Sequence, residues 1–380
     1  MKMNKNMVIT SLLLIAGLVV LFSPRFVVAA SGAWTLQTLD PSQVYATSIA
    51  LDTDGHSHIS YCDESKNLKY IYWDGSSWVG ETVVADGNVG QHTSLALDSA
   101  NYPHIIYYDS TSRVLQYVHW TGSSWASETV DNTTGVGRFP CLVLDNSDHP
   151  HISYTDDTHS TLRYARWTGA SWAIETVDDV DDGAYWTSIV LDSDGYPHIS
   201  YQDYHDHYDL KYARWTGSAW NISVVDSTDM VGWCSSIALD SNEYPHISYY
   251  DGTNQDLKYA HWTGTSWVIE SVDSDGRVGN YTSIALDNKD RPHIGYAYSS
   301  ATPTDNALKY ARWTGTAWVK ETVASGFTEE VGATSLVLDR KGYPHISYAT
   351  FSVGSLHYAF IPVPFSWNLF LPAITKSQEK

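Results

Sequence analysis

The chain has 380 residues and a formal charge of −21, with 43 acidic residues against 22 lysines and arginines. This excess of acid excludes nucleic acid and anionic membrane surfaces as partners, because contacts to phosphate require a basic face. The 16 tryptophans, the 27 tyrosines and the closely spaced glycines and prolines favour an extracellular all-β protein.

Residues 1–30 have the pattern of a signal peptide. Lys2 and Lys5 precede the apolar run 7–22, and Val28 and Ala30 are small residues at the key positions of a cleavage site. We expect cleavage after Ala30, export to the cell surface or the medium, and no membrane insertion afterwards. An uncleaved signal anchor is the alternative.

A unit of about 47 residues then recurs seven times, anchored by a Leu-Asp pair. Each unit contains four short segments, as in "TSIALD", "PHISYYD", "LKYARW" and "SWVIETVD". They are rich in β-branched and aromatic residues, show no helical period, and are separated by turn residues. The anchoring aspartates are Asp52, Asp98, Asp145, Asp192, Asp240, Asp287 and Asp339.

Seven units of four antiparallel strands predict an all-β, seven-bladed β-propeller over residues 31–360. The seventh unit has no fourth strand, whereas "AWTLQTL" near the start of the chain is a fourth strand without a unit. We expect this N-terminal strand to complete the last blade and close the ring. The pattern resembles seven-bladed propellers closed by such a clasp, as in WD-repeat and related families, over roughly residues 33–360. It matches no single functional family.

The tail, residues 361–380, is rich in proline and apolar residues. It lies outside the repeats, and we expect it to pack under the ring or to be disordered. A sorting or attachment signal is the alternative.

Two repeated sets of residues are interpreted as structural. One histidine near the start of each second strand follows a proline in six of the seven units, and we expect it to hydrogen-bond the Leu-Asp carboxylate rather than bind metal. Paired tryptophans flank the outer hairpins, and we expect them to pack between strands and blades. Stacking on sugars at the rim is the alternative for the tryptophans. The histidines are His58, His104, His151, His198, His246, His293 and His345, and the pairs run from Trp73/Trp78 to Trp313/Trp318.

The acidic turns "DTDG" (52–55) and "DSDG" (192–195) resemble the start of a calcium loop, but the other copies lose the pattern. We expect ordinary hairpin turns there. The segment "DDVDDG" (178–183) is the one calcium candidate, and we predict no metal or other cofactor for the chain.

The candidate binding residues are those that depart from the repeat. They lie just before the first strand of each unit, in a loop expected at the channel mouth, where large aromatics suggest a partner. Aspartates in the loop between strands two and three are expected on the same face. The set is Tyr45, His92, Arg138, Phe139, Tyr185, Trp186, Trp233 and Tyr281, with Asp109, Asp203 and Asp251.

Aromatic rings beside carboxylates suit carbohydrate, so we predict a monomeric, secreted binding module for a glycan or, second, an extracellular protein or peptide. A surface scaffold and a glycoside hydrolase or lyase are the alternatives. We predict no catalytic residue, because no carboxylate is singled out by breaking the repeat.

Three cysteines, Cys62, Cys141 and Cys234, fall in non-adjacent blades. A disulfide requires Cα atoms within about 7 Å. We therefore expect three free thiols.

Overall fold

The computed structural model describes residues 20–22, 25–28, 34–85, 87–179, 183–204, 208–302, 304–350 and 354–362. Every regular element in these ranges is a β-strand. The strands form seven antiparallel sheets. Six contain a four-stranded meander in chain order and the seventh combines strands from both ends of the ring, which confirms the predicted seven-bladed propeller.

The blades are numbered in chain order, and strand one of each lies at the channel. Blades 1 and 2 comprise β4 (Thr47–Leu51), β5 (Ser57–Cys62), β6 (Leu68–Trp73) and β7 (Trp78–Val84), then β8 (Gln91–Leu97), β9 (Pro103–Asp109), β10 (Val114–Trp120) and β11 (Trp125–Asp131). Blades 3 and 4 comprise β12 (Val136–Leu144), β13 (Pro150–Asp156), β14 (Thr161–Trp167) and β15 (Trp172–Asp179), then β16 (Ala184–Leu191), β17 (Pro197–Asp203), β18 (Asp209–Trp215) and β19 (Trp220–Asp226). Blades 5 and 6 comprise β20 (Trp233–Leu239), β21 (Pro245–Asp251), β22 (Asp256–Trp262) and β23 (Trp267–Asp273), then β24 (Arg277–Leu286), β25 (Pro292–Ser299), β26 (Asn306–Trp313) and β27 (Trp318–Phe327).

Blade 7 contains both ends of the ring. It comprises β28 (Val331–Leu338), β29 (Pro344–Thr350), β30 (Leu356–Phe360) and, as its outermost ring strand, β3 (Thr35–Asp40). β3 pairs antiparallel with β30 from Thr35 opposite Phe360 to Asp40 opposite Leu356. The predicted clasp is therefore confirmed.

Two short segments upstream of the clasp extend outer edges. β1 (Val20–Phe22) pairs with β7 of blade 1, and β2 (Arg25–Val28) pairs with β3 of blade 7. Cleavage after Ala30 stays a prediction, and the tail beyond Pro362 lies outside the described residues. No helix among the described residues is long and apolar enough to span a membrane.

The core lies between the blades. All seven residues of β13 in blade 3 are buried, because each face of the strand packs on a neighbouring blade. The second tryptophan of each outer hairpin packs edge-on against a tyrosine of the preceding blade, with ring centroids 5.2–5.5 Å apart. The geometry agrees with the packing interpretation of the tryptophans.

The repeated histidines are part of the blade. Their Nδ1 atoms hydrogen-bond a strand-three tyrosine hydroxyl in all seven blades. In six blades Nε2 lies 3.3–3.7 Å from the Leu-Asp carboxylate, although only His198 and Asp192 form a hydrogen bond there. Each histidine is thus bonded within its own blade, as expected of a structural residue, but the expected hydrogen bond to the Leu-Asp carboxylate forms among these contacts only at His198.

The three cysteines are free thiols, as predicted. Burial raises the pKa of Cys62 and of Cys234 to about 12.

Candidate functional site

A β-bulge begins strand one in five of the seven blades. At each bulge the pairing with strand two shifts, and one residue adopts a left-handed backbone conformation. A bulge interrupts the pleat and re-aims the side chain, here towards the channel. The five residues are His92 (φ 53°), Phe139 (φ 49°), Trp186 (φ 54°), Cys234 (φ 53°) and Tyr281 (φ 49°).

Four of these five residues carry bulky rings in a region of backbone space that normally favours glycine. A non-glycine residue held there costs stability, and such outliers cluster at binding sites. The chain keeps the rings in spite of this cost, which points to a role outside folding.

The strain can be measured at Trp186. Trp186→Ala and Trp186→Gly both remove the ring, so the difference between their free energies of unfolding measures the backbone strain alone. We expect Trp186→Gly to be more stable than Trp186→Ala by about 1 kcal/mol. Ala46 lies at the same position of blade 1 with a negative φ, so Ala46→Gly should instead destabilise by about 0.5–1 kcal/mol. Chemical denaturation of the three variants tests both signs, and an alanine variant at 186 as stable as the glycine variant would contradict the strain.

The bulge residues surround a cavity of about 500 Å³ at one end of the channel. All seven blades contribute to its wall. Below the variable position lie a second ring, mostly threonine, and a third ring, mostly serine. The cavity therefore combines a variable mouth with a uniform hydroxyl-rich wall.

The third ring ties the blades together. In six places a backbone N–H of one blade donates to a serine Oγ of the preceding blade at 3.0–3.3 Å. Cys141 replaces the serine in blade 3, and its thiol interacts with the backbone of Ile189 in blade 4. This circumferential set of hydrogen bonds holds the mouth residues at fixed positions.

The side chains around the mouth are arranged asymmetrically. Ring centroids are 4.4 Å apart for His92 and Phe139, 4.3 Å for Phe139 and Trp186, and 6.0 Å for Trp186 and Tyr281. We call these four residues the aromatic arc; they come from blades 2, 3, 4 and 6. Blades 7 and 1 offer only small side chains at that position, Ala333 and Ala46. A ligand can therefore stack on one wall and have room at the other.

The lining is uncharged. None of the residues that line this cavity is Asp, Glu, Lys or Arg. Burial, with a smaller effect of the nearby Arg138 guanidinium, lowers the pKa of His92 to about 4. At neutral pH the cavity therefore offers hydroxyl groups and rings to a neutral ligand, despite the acidity of the whole chain.

Five of the predicted mouth residues line the cavity: Tyr45, His92, Phe139, Trp186 and Tyr281. The other three, Arg138, Tyr185 and Trp233, lie one position before a bulge residue and are not part of the lining. Arg138 forms an ion pair with Asp157 at 3.4 Å, and its guanidinium carbon lies 5.0 Å from the ring centre of Phe139.

Asp109, Asp203 and Asp251 were expected on the same face as the mouth aromatics. They lie where second strands end, beside the start of strand one, as where Ala184 pairs with Asp203, but none of them lines the cavity. The chain's own groups engage their carboxylates. Asp109 and Asp251 accept backbone N–H groups of the turn that follows. Asp203 forms an ion pair with Lys211 at 2.6 Å. These aspartates hold turns, as short acidic side chains commonly do.

The sequence did not single out the serine and threonine rings, because they recur in almost every unit. Their only signal was the repeated "TS" at the start of strand one, just after the variable residue.

One acidic turn brings possible metal ligands together. Ligand atoms of Asp52, Asp54 and His56 lie within 4.8 Å of one another. Oδ1 of Asp52 accepts the backbone N–H groups of Asp54 and His56, which is the bonding of an ordinary turn. The one calcium candidate from the sequence, 178–183, lies partly outside the described residues.

Fold and mouth together define a seven-bladed propeller with a neutral, aromatic-walled cavity on its axis. No protein-family model matches the chain, and no curated protein matches it in sequence. Among solved structures it is similar to a polysaccharide lyase, an ulvan lyase, with 13% identity, a TM-score of 0.64, and coverage of 85% of this chain and 95% of that one. It is also similar to AofleA from Arthrobotrys oligospora, with 14% identity, a TM-score of 0.54, and coverage of 77% and 91%. The Aleuria aurantia lectin, crystallised with a fucosylated GlcNAc, shares 13% identity with a TM-score of 0.53 and coverage of 77% and 98%. At these identities the similarity shows the fold.

Proposed function

We propose that this protein is a secreted carbohydrate-binding module that takes a neutral sugar into the cavity at the channel mouth. The observation that carries the proposal is the aromatic arc, held by strained bulges and facing the small residues of blades 7 and 1. Aromatic faces stack on the apolar faces of sugars, and hydroxyl groups both donate and accept hydrogen bonds. The N-terminal pattern supports export of the chain.

The size and charge of the cavity support a small neutral ligand. A cavity of about 500 Å³ falls within the range of about 300–1,000 Å³ that is usual for small-molecule sites. An acidic sugar would meet no basic side chain in the lining. The lectin and the lyase among the similar structures agree with carbohydrate binding on this fold, although a fold alone does not assign a function.

An enzyme finds less support at this site. Hydrolysis or elimination at a sugar needs a positioned acid or base, usually a carboxylate pair for hydrolysis. The described lining contains no carboxylate, and its one histidine has a pKa lowered to about 4.

Binding of the purified protein to a glycan array tests the proposal. We expect Trp186→Ala to weaken binding of the selected neutral sugar at least tenfold, about 1.4 kcal/mol, because the arc loses its largest ring. Trp215→Ala is the matched control, since Trp215 belongs to an outer hairpin of the same blade and should leave binding unchanged. Binding that survives Trp186→Ala but is lost with Trp215→Ala would move the site to the rim and reject the mouth.

A further inference from the structure

A row of aromatic rings leads away from the cavity over the top of blade 4. Phe139 of the arc lies 5.7 Å from Tyr185, Tyr185 lies 5.2 Å from Tyr204, and Tyr204 lies 4.6 Å from Tyr208, measured between ring centroids. We call Tyr185, Tyr204 and Tyr208 the aromatic row. Tyr204 is 42% exposed, among the most exposed large side chains of the described residues.

Sheet geometry explains how the row forms. Tyr185 pairs with Gln202, so Tyr204 is its diagonal neighbour on the same face of the sheet. The backbone N–H of Tyr204 donates to the carbonyl of Gly183 at 3.0 Å, which extends the pairing beyond the strand end. A Cβ at Gly183 would lie 3.0 Å from the Tyr185 ring, so glycine lets this ring lie against the backbone.

The row is a property of blade 4 rather than of the repeat. The same diagonal position holds the ion pair Arg138–Asp157 in blade 3, at 3.4 Å. In blade 5 the corresponding residues are Trp233 and Gly252. Because the scaffold tolerates such different pairs, a half-buried Tyr185 against an exposed Tyr204 is not required to fold the blade.

We infer that the aromatic row binds successive units of a neutral oligosaccharide chain whose end occupies the cavity. This inference rests on the proposed function and specifies its ligand as a chain of several sugars rather than a single one. Neighbouring rings in the row lie 4.6–5.7 Å apart and meet edge-to-face, at interplanar angles of 73–90°. The row is therefore continuous with the arc, and the exposed Tyr204 offers a further aromatic contact beyond it. A single sugar in the cavity would leave Tyr204 unused, and large exposed aromatic surface usually marks a contact site.

Calorimetric titration with cello-, malto- and xylo-oligosaccharides of one to six units tests the inference. In the wild type the affinity for one of these series should rise with chain length, by about tenfold from two units to six. Tyr204→Ala should remove most of that gain and leave the affinity for the shortest binding member unchanged. The matched control is Tyr244→Ala, since Tyr244 is 36% exposed in a first turn of blade 5, at the opposite end of the strands.

The two proposals fail in different ways. If the affinity does not depend on the length of the oligosaccharide, or if the gain in affinity with length persists in Tyr204→Ala, the proposed role of the aromatic row is wrong. Neither result contradicts a binding site in the cavity. If none of the three series binds, the inference that the ligand is a neutral oligosaccharide chain is wrong. If the glycan array also shows no binding, the proposed function is wrong as well. If Tyr244→Ala loses the gain in affinity with chain length as fully as Tyr204→Ala does, the effect is a general one of the surface, and the proposed role of the aromatic row is wrong.

Discussion

A chain that begins at Pro41 should melt at least about 10 °C below a chain that begins at Trp34. The shorter chain lacks Trp34 and the whole of β3, and both Trp34 and Leu39 are buried, 3% and 2% exposed. Removing a buried tryptophan costs about 3–5 kcal/mol and removing a buried leucine about 2–5 kcal/mol. With an unfolding entropy of about 2.1 cal/mol/K per residue, each kcal/mol lowers the melting temperature of a ring of this size by about 1.5 °C.

The loss extends to both neighbouring blades. The indole N–H of Trp34 donates to Glu321 of blade 6, Gln37 accepts the indole N–H of Trp78 in blade 1, and Asp40 accepts the hydroxyl of Tyr61 in blade 1. Without β3, blades 6 and 1 keep unpaired polar groups, and β30 becomes an open edge.

Thermal unfolding followed by circular dichroism compares the two chains, and the longer one is the control because it retains every ring strand. Trp34→Ala should fall between them. Equal melting temperatures would show that the ring does not depend on the N-terminal strand.

The fold could be read from the sequence because each blade repeats the same local solution. The Leu-Asp pair, the Pro-His strand and the Trp-flanked hairpin mark three strand boundaries in almost every copy. A boundary that is ambiguous in one copy can therefore be assigned from the other six. The extra strand before Pro41 could then be assigned to the seventh unit, since that unit lacked its fourth strand.

The mouth was only partly predictable. Departures from the repeat located His92, Phe139 and Trp186, because residues that the scaffold does not need stand out against invariant neighbours. The bulge that aims them was not readable, since a left-handed backbone is normally signalled by glycine and here it carries bulky residues. The turn contacts of Asp109 and Asp251, which lie outside the cavity lining, were not readable either. A carboxylate that holds a turn and one that meets a ligand look alike in sequence.

The buried histidines should make the protein labile to mild acid. Burial lowers the pKa of His293, His345 and His357, as well as that of His92, to about 4. Burial also lowers the pKa of the other repeated histidines, partly opposed by the Leu-Asp carboxylates.

The direction follows from proton uptake. An unfolded histidine has a pKa near 6.5, so between pH 6.5 and about 4 the unfolded chain binds more protons than the folded one. Stability is therefore full above pH 6.5 and falls as the pH drops. A histidine with a folded pKa of about 4 costs about 2 kcal/mol at pH 5. Four such residues approach the whole stability of a typical protein, about 5–15 kcal/mol.

Urea unfolding between pH 8 and pH 4.5 measures this dependence, and we expect the free energy of unfolding to decline steeply below pH 6. A constant value from pH 7 to pH 5 would show that the histidines take up protons in the fold without penalty.

His357→Gln isolates one of these groups without removing its partner. Nδ1 of His357 hydrogen-bonds the hydroxyl of Thr38 at 3.2 Å, and blade 2 has Gln116 and Thr129 in the same arrangement at 3.1 Å. Glutamine can therefore keep the contact and cannot take up the proton. The substitution also removes the stacking of the His357 ring on Tyr348, with centroids 4.9 Å apart, and this loss is the same at every pH. Relative to the wild type, the free energy of unfolding of the variant should therefore rise by about 2 kcal/mol between pH 8 and pH 5. An equal difference at both pH values would assign the effect to packing rather than to the proton.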